Sequence, residues 1–218
     1  MKRSSPQAFT LVEMLTVMAI IAILTGLVLS IAGYAQNRAA RERALGEIQE
    51  MTTGCESYKT DYGSYPQDTD TDLLDPRVDG NPVAGPSYER YKKSCLSLYS
   101  ALSGDFDGAA SGKPDGKPEA GKKTYINFIP NRLNYDKDAN GKIMEVKYLQ
   151  DPFGNCYGYS TAALKQEQQY RDDVKSNPAK VRPTATELKG YNPTFDMWST
   201  AGQTDILNAA KWVKNWGN

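Results

Sequence analysis

FTLVEMLTVMAIIAILTGLVLSIAG, residues Phe9 to Gly33, is an apolar run of 25 residues broken by one acid, Glu13. Wound as a helix it measures about 37 Å at about 1.5 Å per residue, enough to cross the hydrocarbon core of a bilayer. Ahead of it lies MKRSSPQA, residues 1–8, with the cations Lys2 and Arg3. Positive charge before a first membrane segment holds that end in the cytoplasm, so the remainder is expected outside. A secretory signal would instead end in a small-residue cleavage site, for which Ser30, Ala32 and Gly33 are a loose match. The run is longer than a signal core, and a signal core carries no acid. A carboxylate at mid-membrane costs about 2.5–3.5 kcal/mol on insertion scales, less near the interface, so its presence there implies a partner.

Beyond the apolar run the helical period continues. Leu45, Ile48, Met51, Cys55, Tyr58 and Tyr62 recur at spacings of three and four, with Arg41, Glu42, Arg43, Glu47, Glu50, Glu56 and Lys59 between them. One apolar face of this kind packs on a globular head. Gly63 suits the position after the last helical residue and Pro66 prevents continuation. The helix is therefore expected over 9 to about 62, roughly 80 Å long at 1.5 Å per residue.

Ala8-Phe9-Thr10-Leu11-Val12-Glu13-Met14-Leu15 resembles the class III leader of type IV pilins and type II secretion pseudopilins. The resemblance implies cleavage by a prepilin peptidase between Ala8 and Phe9, followed by N-methylation of Phe9. The family usually carries Gly before the cut; here the residue is Ala8, also small. Cleavage would leave Phe9 with a free amine, largely protonated at neutral pH. Glu13 is the one acid in the apolar run and lies four residues on, within reach in the same helix. The family places this pair between adjacent subunits, which makes Glu13 an assembly residue. Tyr58, Asp61, Tyr62, Gly63, Tyr65 and Pro66, closing the helix, strengthen the likeness.

In the head, residues 67–90 are rich in Asp, Pro and Gly and read as a surface loop. Tyr91, Cys95, Leu98, Tyr99 and Leu102 predict a second helix over 88–102. Residues 103–123 are poor in apolar residues and read as flexible. Strands are expected at Thr124–Pro130 and Lys142–Leu149, with Asn140-Gly141 as a turn signal between them. Further strands are expected at Cys156–Ser160 and Thr194–Ser199, with 165–189 a polar insertion. The expected fold is α+β and pilin-like. A long N-terminal helix, half transmembrane and half amphipathic, packs on a small antiparallel sheet. The parts are a leader (1–8), a membrane segment (9–33), the outer half of the helix (34–66), a variable region (67–148) and a C-terminal sheet with tail (149–218).

Asp151-Pro152-Phe153-Gly154-Asn155, with Tyr157 and Tyr159, then Asp196, Ser199, Gly202, Asn215 and Trp216, is similar to the last sheet of major type II secretion pseudopilins. In that family the loop after the last strand binds calcium. Here Ser199–Asp205 is the equivalent loop, and Asp205 is its one carboxylate. Calcium prefers six to eight oxygens, so one acid makes a weak site beside the alternative of a loop closed by its own hydrogen bonds. A second calcium candidate, Asp136, Asp138 and Asn140, begins like an EF-hand loop but has Lys147 where the bidentate Glu belongs. A plain turn explains it equally. The acidic runs 68–72 and 105–108 read as solvated loops.

Composition narrows the classes. Lys plus Arg and Asp plus Glu each total 26, so nothing points to nucleic acid. The absence of histidine removes the common nucleophile systems and imidazole metal sites, and no phosphate-binding loop is present, so an enzyme is not expected. The three cysteines, Cys55, Cys95 and Cys156, cannot all pair within one chain. One disulfide, with Cys55–Cys95 as a guess, and three buried thiols are equally compatible with the sequence. Trp198, Trp212 and Trp216 read as packing rather than a sugar platform. The sequence thus favours a filament subunit at the bacterial inner membrane, with its head in the periplasm. Its partners would be copies of itself, related pilins, the peptidase and an inner-membrane assembly platform. The competing reading is a membrane-anchored calcium- or sugar-binding protein that never polymerises.

Overall fold

The structure, a computed structural model, describes residues 10–80, 82–106 and 112–217, without the side chains of 28–32 and Pro86. The chain divides into two units, Met1–Ala40 and Arg41–Asn218.

Helix α1 runs Leu11–Tyr62, as the period predicts. Its residues Leu11, Val12, Leu15, Met18, Ile21 and Leu24 are exposed. Among the described residues no helix is long and apolar enough to cross a membrane. The apolar run read from the sequence begins at Phe9, outside those residues, and includes 28–32.

In the second unit, α1 buries Ala44, Ile48, Met51 and Cys55. Two residues assigned to this face differ from expectation: Leu45 is 38% exposed and Tyr62 58%. The head covers only a narrow stripe of the helix, and Tyr62 lies past it, stacked on Tyr58. The end of α1 explains its motif. The Gly63 amide bonds back to Lys59 O at 2.7 Å with φ of 76°, a left-handed cap that costs glycine nothing. Asp61 receives Lys123 Nζ at 2.5 Å and the Tyr125 hydroxyl at 2.6 Å. The Tyr65 hydroxyl donates to Glu56 Oε1 at 3.0 Å, and Pro66 O accepts the Tyr159 hydroxyl at 2.8 Å. The motif ties the helix end to two separate parts of the head and folds Tyr65 back on the helix itself.

Helix α2 (Thr69–Leu73) stands inside the segment read as loop, and its Asp68–Thr71 capping box is the reason. Helix α3 spans Pro86–Ser103. All five of its predicted inward residues, Tyr91, Cys95, Leu98, Tyr99 and Leu102, are buried. Strands β1 (Leu133–Lys137) and β2 (Ile143–Leu149) form an antiparallel hairpin across the Asn140-Gly141 turn. The partner of β2 is therefore Leu133–Lys137, not Thr124–Pro130. That segment is irregular: the amides of Tyr125 and Ile126 both bond to Leu102 O at the end of α3, and Ile126 and Phe128 fill the core. Its alternation reflects burial against a helix, which a strand pattern mimics. Residues 112–123 are held too, since Pro114 O accepts the Val146 amide and Asp105 receives the amides of Asp115 and Gly116.

The second sheet orders β3 (Gly158–Ser160), β4 (Asp196–Ser199) and β5 (Val213–Lys214), all antiparallel. Between β3 and β4 the polar insertion contains helix α4 (Ala162–Ser176). Fully buried Trp198 centres the sheet, stacked on Trp212 at 6.0 Å and donating Nε1–H to the Tyr91 hydroxyl at 2.9 Å. Gly158 lies so close that a Cβ there would stand 2.1 Å from the indole.

Candidate assembly site

Thr10 and Glu13 open α1 as a reciprocal cap. The Thr10 amide and hydroxyl both donate to Glu13 Oε2, at 2.8 and 2.7 Å, and the Glu13 amide donates to Thr10 Oγ1 at 3.3 Å. The first amides of a helix lack partners within it, and Thr three residues before Glu answers two of them with side chains. Glu13 thus has a local role besides the one read from sequence. Thr10 is the residue that reading missed, although the Thr-x-x-Glu spacing was visible. Ala8 and Phe9, the expected cleavage and methylation residues, lie outside the described residues.

The head residues that resemble pseudopilins are structural hubs. Asp151 is buried and accepts the amides of Phe153 and Asn155 at 2.9 and 2.8 Å and the Ser199 hydroxyl at 2.5 Å. Burial pushes its carboxyl above the usual range, against those three bonds. Asp196 accepts the amides of Tyr191 and Asn192 at 2.7 and 2.8 Å, and burial raises its pKa to about 6. Asn215 Oδ1 accepts the Met197 amide at 2.9 Å, while Trp216 stacks on Tyr191. Each closes a turn or strand end.

The calcium candidates are engaged in the same way. Ser199 is buried, gives its proton to Asp151 and accepts the Ala201 amide, while Asp205 caps a short 3-10 turn through the Leu207 amide at 2.9 Å. Asp136 pairs with Lys147 Nζ at 2.8 Å. Asp138 Oδ1 accepts the amides of Asn140 and Lys142 at 2.8 and 2.9 Å, the Lys142 amide foremost in holding its carboxyl below the usual range. Asn140 is turned on the same carboxylate, through its backbone amide and its side chain. A cation would have to displace an ammonium in one set and rely on a lone acid in the other, so neither fits calcium. Among the described residues no three His, Cys, Asp or Glu side chains are grouped to hold a metal.

Residues 3–29 match the family model described as the prokaryotic N-terminal methylation motif. The amino terminus is similar to that of type IV prepilin-like proteins. The match covers the amino-terminal segment alone, the part that the sequence likens to a prepilin leader. No curated protein and no solved structure matches it.

Proposed function

We propose that this chain is a structural subunit of a type II secretion pseudopilus or a closely related type IV pilus-like filament. The carrying observation is the methylation motif at 3–29 heading a helix on which the apolar side chains of Leu11, Val12, Leu15, Met18, Ile21 and Leu24 are exposed. Cleavage between Ala8 and Phe9 frees the Phe9 amine, which is then methylated. The segment Phe9–Gly33 crosses the inner membrane once, with the head in the periplasm. On assembly it leaves lipid for a bundle of identical or related segments. Dispersion packing and answered polar groups favour association there, because lipid is as apolar as the side chains. Glu13 supplies the anion for the Phe9 amine of a neighbouring subunit and so fixes register, since an unanswered charge in that environment is costly. An inner-membrane platform adds each subunit. The pseudopilus assignment rests on the likeness of Asp151–Asn155 and the residues of β4 to that family's last sheet. Calcium has no part in the proposal.

Amino-terminal peptide mass spectrometry on protein from its native membrane tests this. A chain beginning at N-methylated Phe9 is expected. A chain beginning at Met1, or after Gly33, overturns it.

A further inference from the structure

The cysteines separate into a pair and a single residue. Cys95, on the inner face of α3, accepts the Leu149 amide on Sγ at 3.3 Å, and that Sγ lies 3.6 Å from Leu149 O. Cys156 comes to the same residue through the backbone. Its residue bridges Gln150, and the next amide, of Tyr157, bonds to Leu149 O at 3.2 Å. The Cys156 thiol lies 3.3 Å from Tyr157 O and close enough to Cys95 for that thiol to help raise its pKa. Cys55 lies elsewhere, against the Tyr159 hydroxyl, which itself donates to Pro66 O. The pairing Cys55–Cys95 is therefore not the one the fold prepares.

We propose that Cys95 and Cys156 form a disulfide in the mature protein and that Cys55 remains a free thiol. The proposal rests on the reading that the head lies outside the cytoplasm, where disulfides persist. Both cysteines adjoin Leu149, Cys95 through its sulfur and Cys156 through the backbone bridge beside it, so closing the bond asks for little movement of α3 or of the turn before β3. It is the separation of the two residues' Cα and Cβ atoms that decides whether a pair can be bridged. All three cysteines are buried thiols in the structure. Burial, with Cys95 as the next cause, raises the Cys156 thiol well above its ordinary range, so the folded head exposes no thiolate for exchange. Oxidation must precede the docking of α3 on β2. One thiolate attacks the disulfide of an oxidised dithiol–disulfide exchange protein and forms a mixed disulfide. The second thiolate then displaces the carrier. The subunit loses two hydrogens and two sulfurs join; the carrier leaves as a dithiol holding both electrons.

Cells making the full chain are quenched in acid, and the protein is denatured and alkylated with N-ethylmaleimide before digestion without reductant. The expected result is a single adduct, on Cys55, and one linked peptide pair joining the Cys95 and Cys156 fragments that separates on reduction. A Cys55→Ser chain should give the same linked pair and no adduct. Adducts on all three cysteines, or any link that includes Cys55, overturn the proposal. The amino-terminal peptide is read from the same digest. A chain that begins at Phe9 with three adducts sinks the disulfide and leaves the filament reading intact; a linked pair on a chain that begins at Met1 does the reverse.

Discussion

Glu13 carries two jobs that one substitution can separate. Its carboxylate caps Thr10, and in the proposed filament it also answers a cation. Glu13→Gln keeps an acceptor for the Thr10 amide and removes the charge, since Gln serves at this capping position as well as Glu. The expected outcome is normal expression and cleavage with filament incorporation lost, read by shearing and quantifying assembled protein. Incorporation at the ordinary level would reduce Glu13 to a helix cap. Asp196 gives a second residue-scale test. Its pKa rises from 3.8 to about 6 on folding, mainly through burial. A carboxyl raised in the folded state contributes stability that is present below about pH 4 and lost as pH climbs through about 6. The shift corresponds to about 3 kcal/mol across that window, to order of magnitude. Asp151, also raised, adds to the same slope. Asp196→Asn leaves one of two backbone amides unanswered and lowers stability at pH 4 by about 1–3 kcal/mol. It should nevertheless flatten the fall between pH 4 and 6 in thermal melts. An unchanged slope would remove Asp196 as its source.

Elements built on local periods were legible, and those built on distant partners were not. The helices α1 and α3 were readable because spacings of three and four recur over many turns, and Gly63 and Pro66 mark a stop. The strands were harder. Thr124–Pro130 alternates as β2 does, yet the carbonyl of Leu102, more than twenty residues away, takes its amides. Nothing in seven residues announces that. The two-residue β5 has no period to read, and α4 was hidden in composition that resembles a solvated insertion. The Thr10–Glu13 cap was legible from its spacing; the use of Asp151 and Asp196 as buried hubs required the three-dimensional neighbours. The helix face offers a direct test of the packing. Met51, fully buried, should cost about 2–5 kcal/mol as Met51→Ala, whereas Leu45→Ala, at a position 38% exposed, should cost much less in the same urea titration. Equal costs would mean that the head sits on a different stripe of α1. At the sheet, Gly158→Ala places a methyl inside the contact distance of Trp198 and should cost about 3 kcal/mol or more, because a packed core cannot yield to it without moving the indole.

At the scale of the whole molecule, the head is closed by buried carboxylates acting on its own amides. Asp105, Asp151 and Asp196 each accept at least two backbone N–H groups; Asp196 closes its own turn, while Asp151 also reaches Ser199 of β4. The same economy appears at the loop after β4. There Ser199 is committed to Asp151 and Asp205 to the Leu207 amide, so the oxygens that a cation would need are already answered. A head fastened in this way should fold to the same stability with or without calcium. A bound ion at about a hundred times its dissociation constant would add about 2.7 kcal/mol. For a domain of this size that would raise the melting temperature by several degrees, at roughly 2–4 °C for each kcal/mol. Melting the full chain in detergent with excess EGTA and again with millimolar calcium should therefore give coincident curves. A rise of several degrees with calcium, absent with magnesium, would show that the loop recruits backbone carbonyls to a cation. Asp205→Ala should then abolish that rise. Without such a rise, the same substitution costs only the cap of the 3-10 turn, about 1 kcal/mol, in either condition.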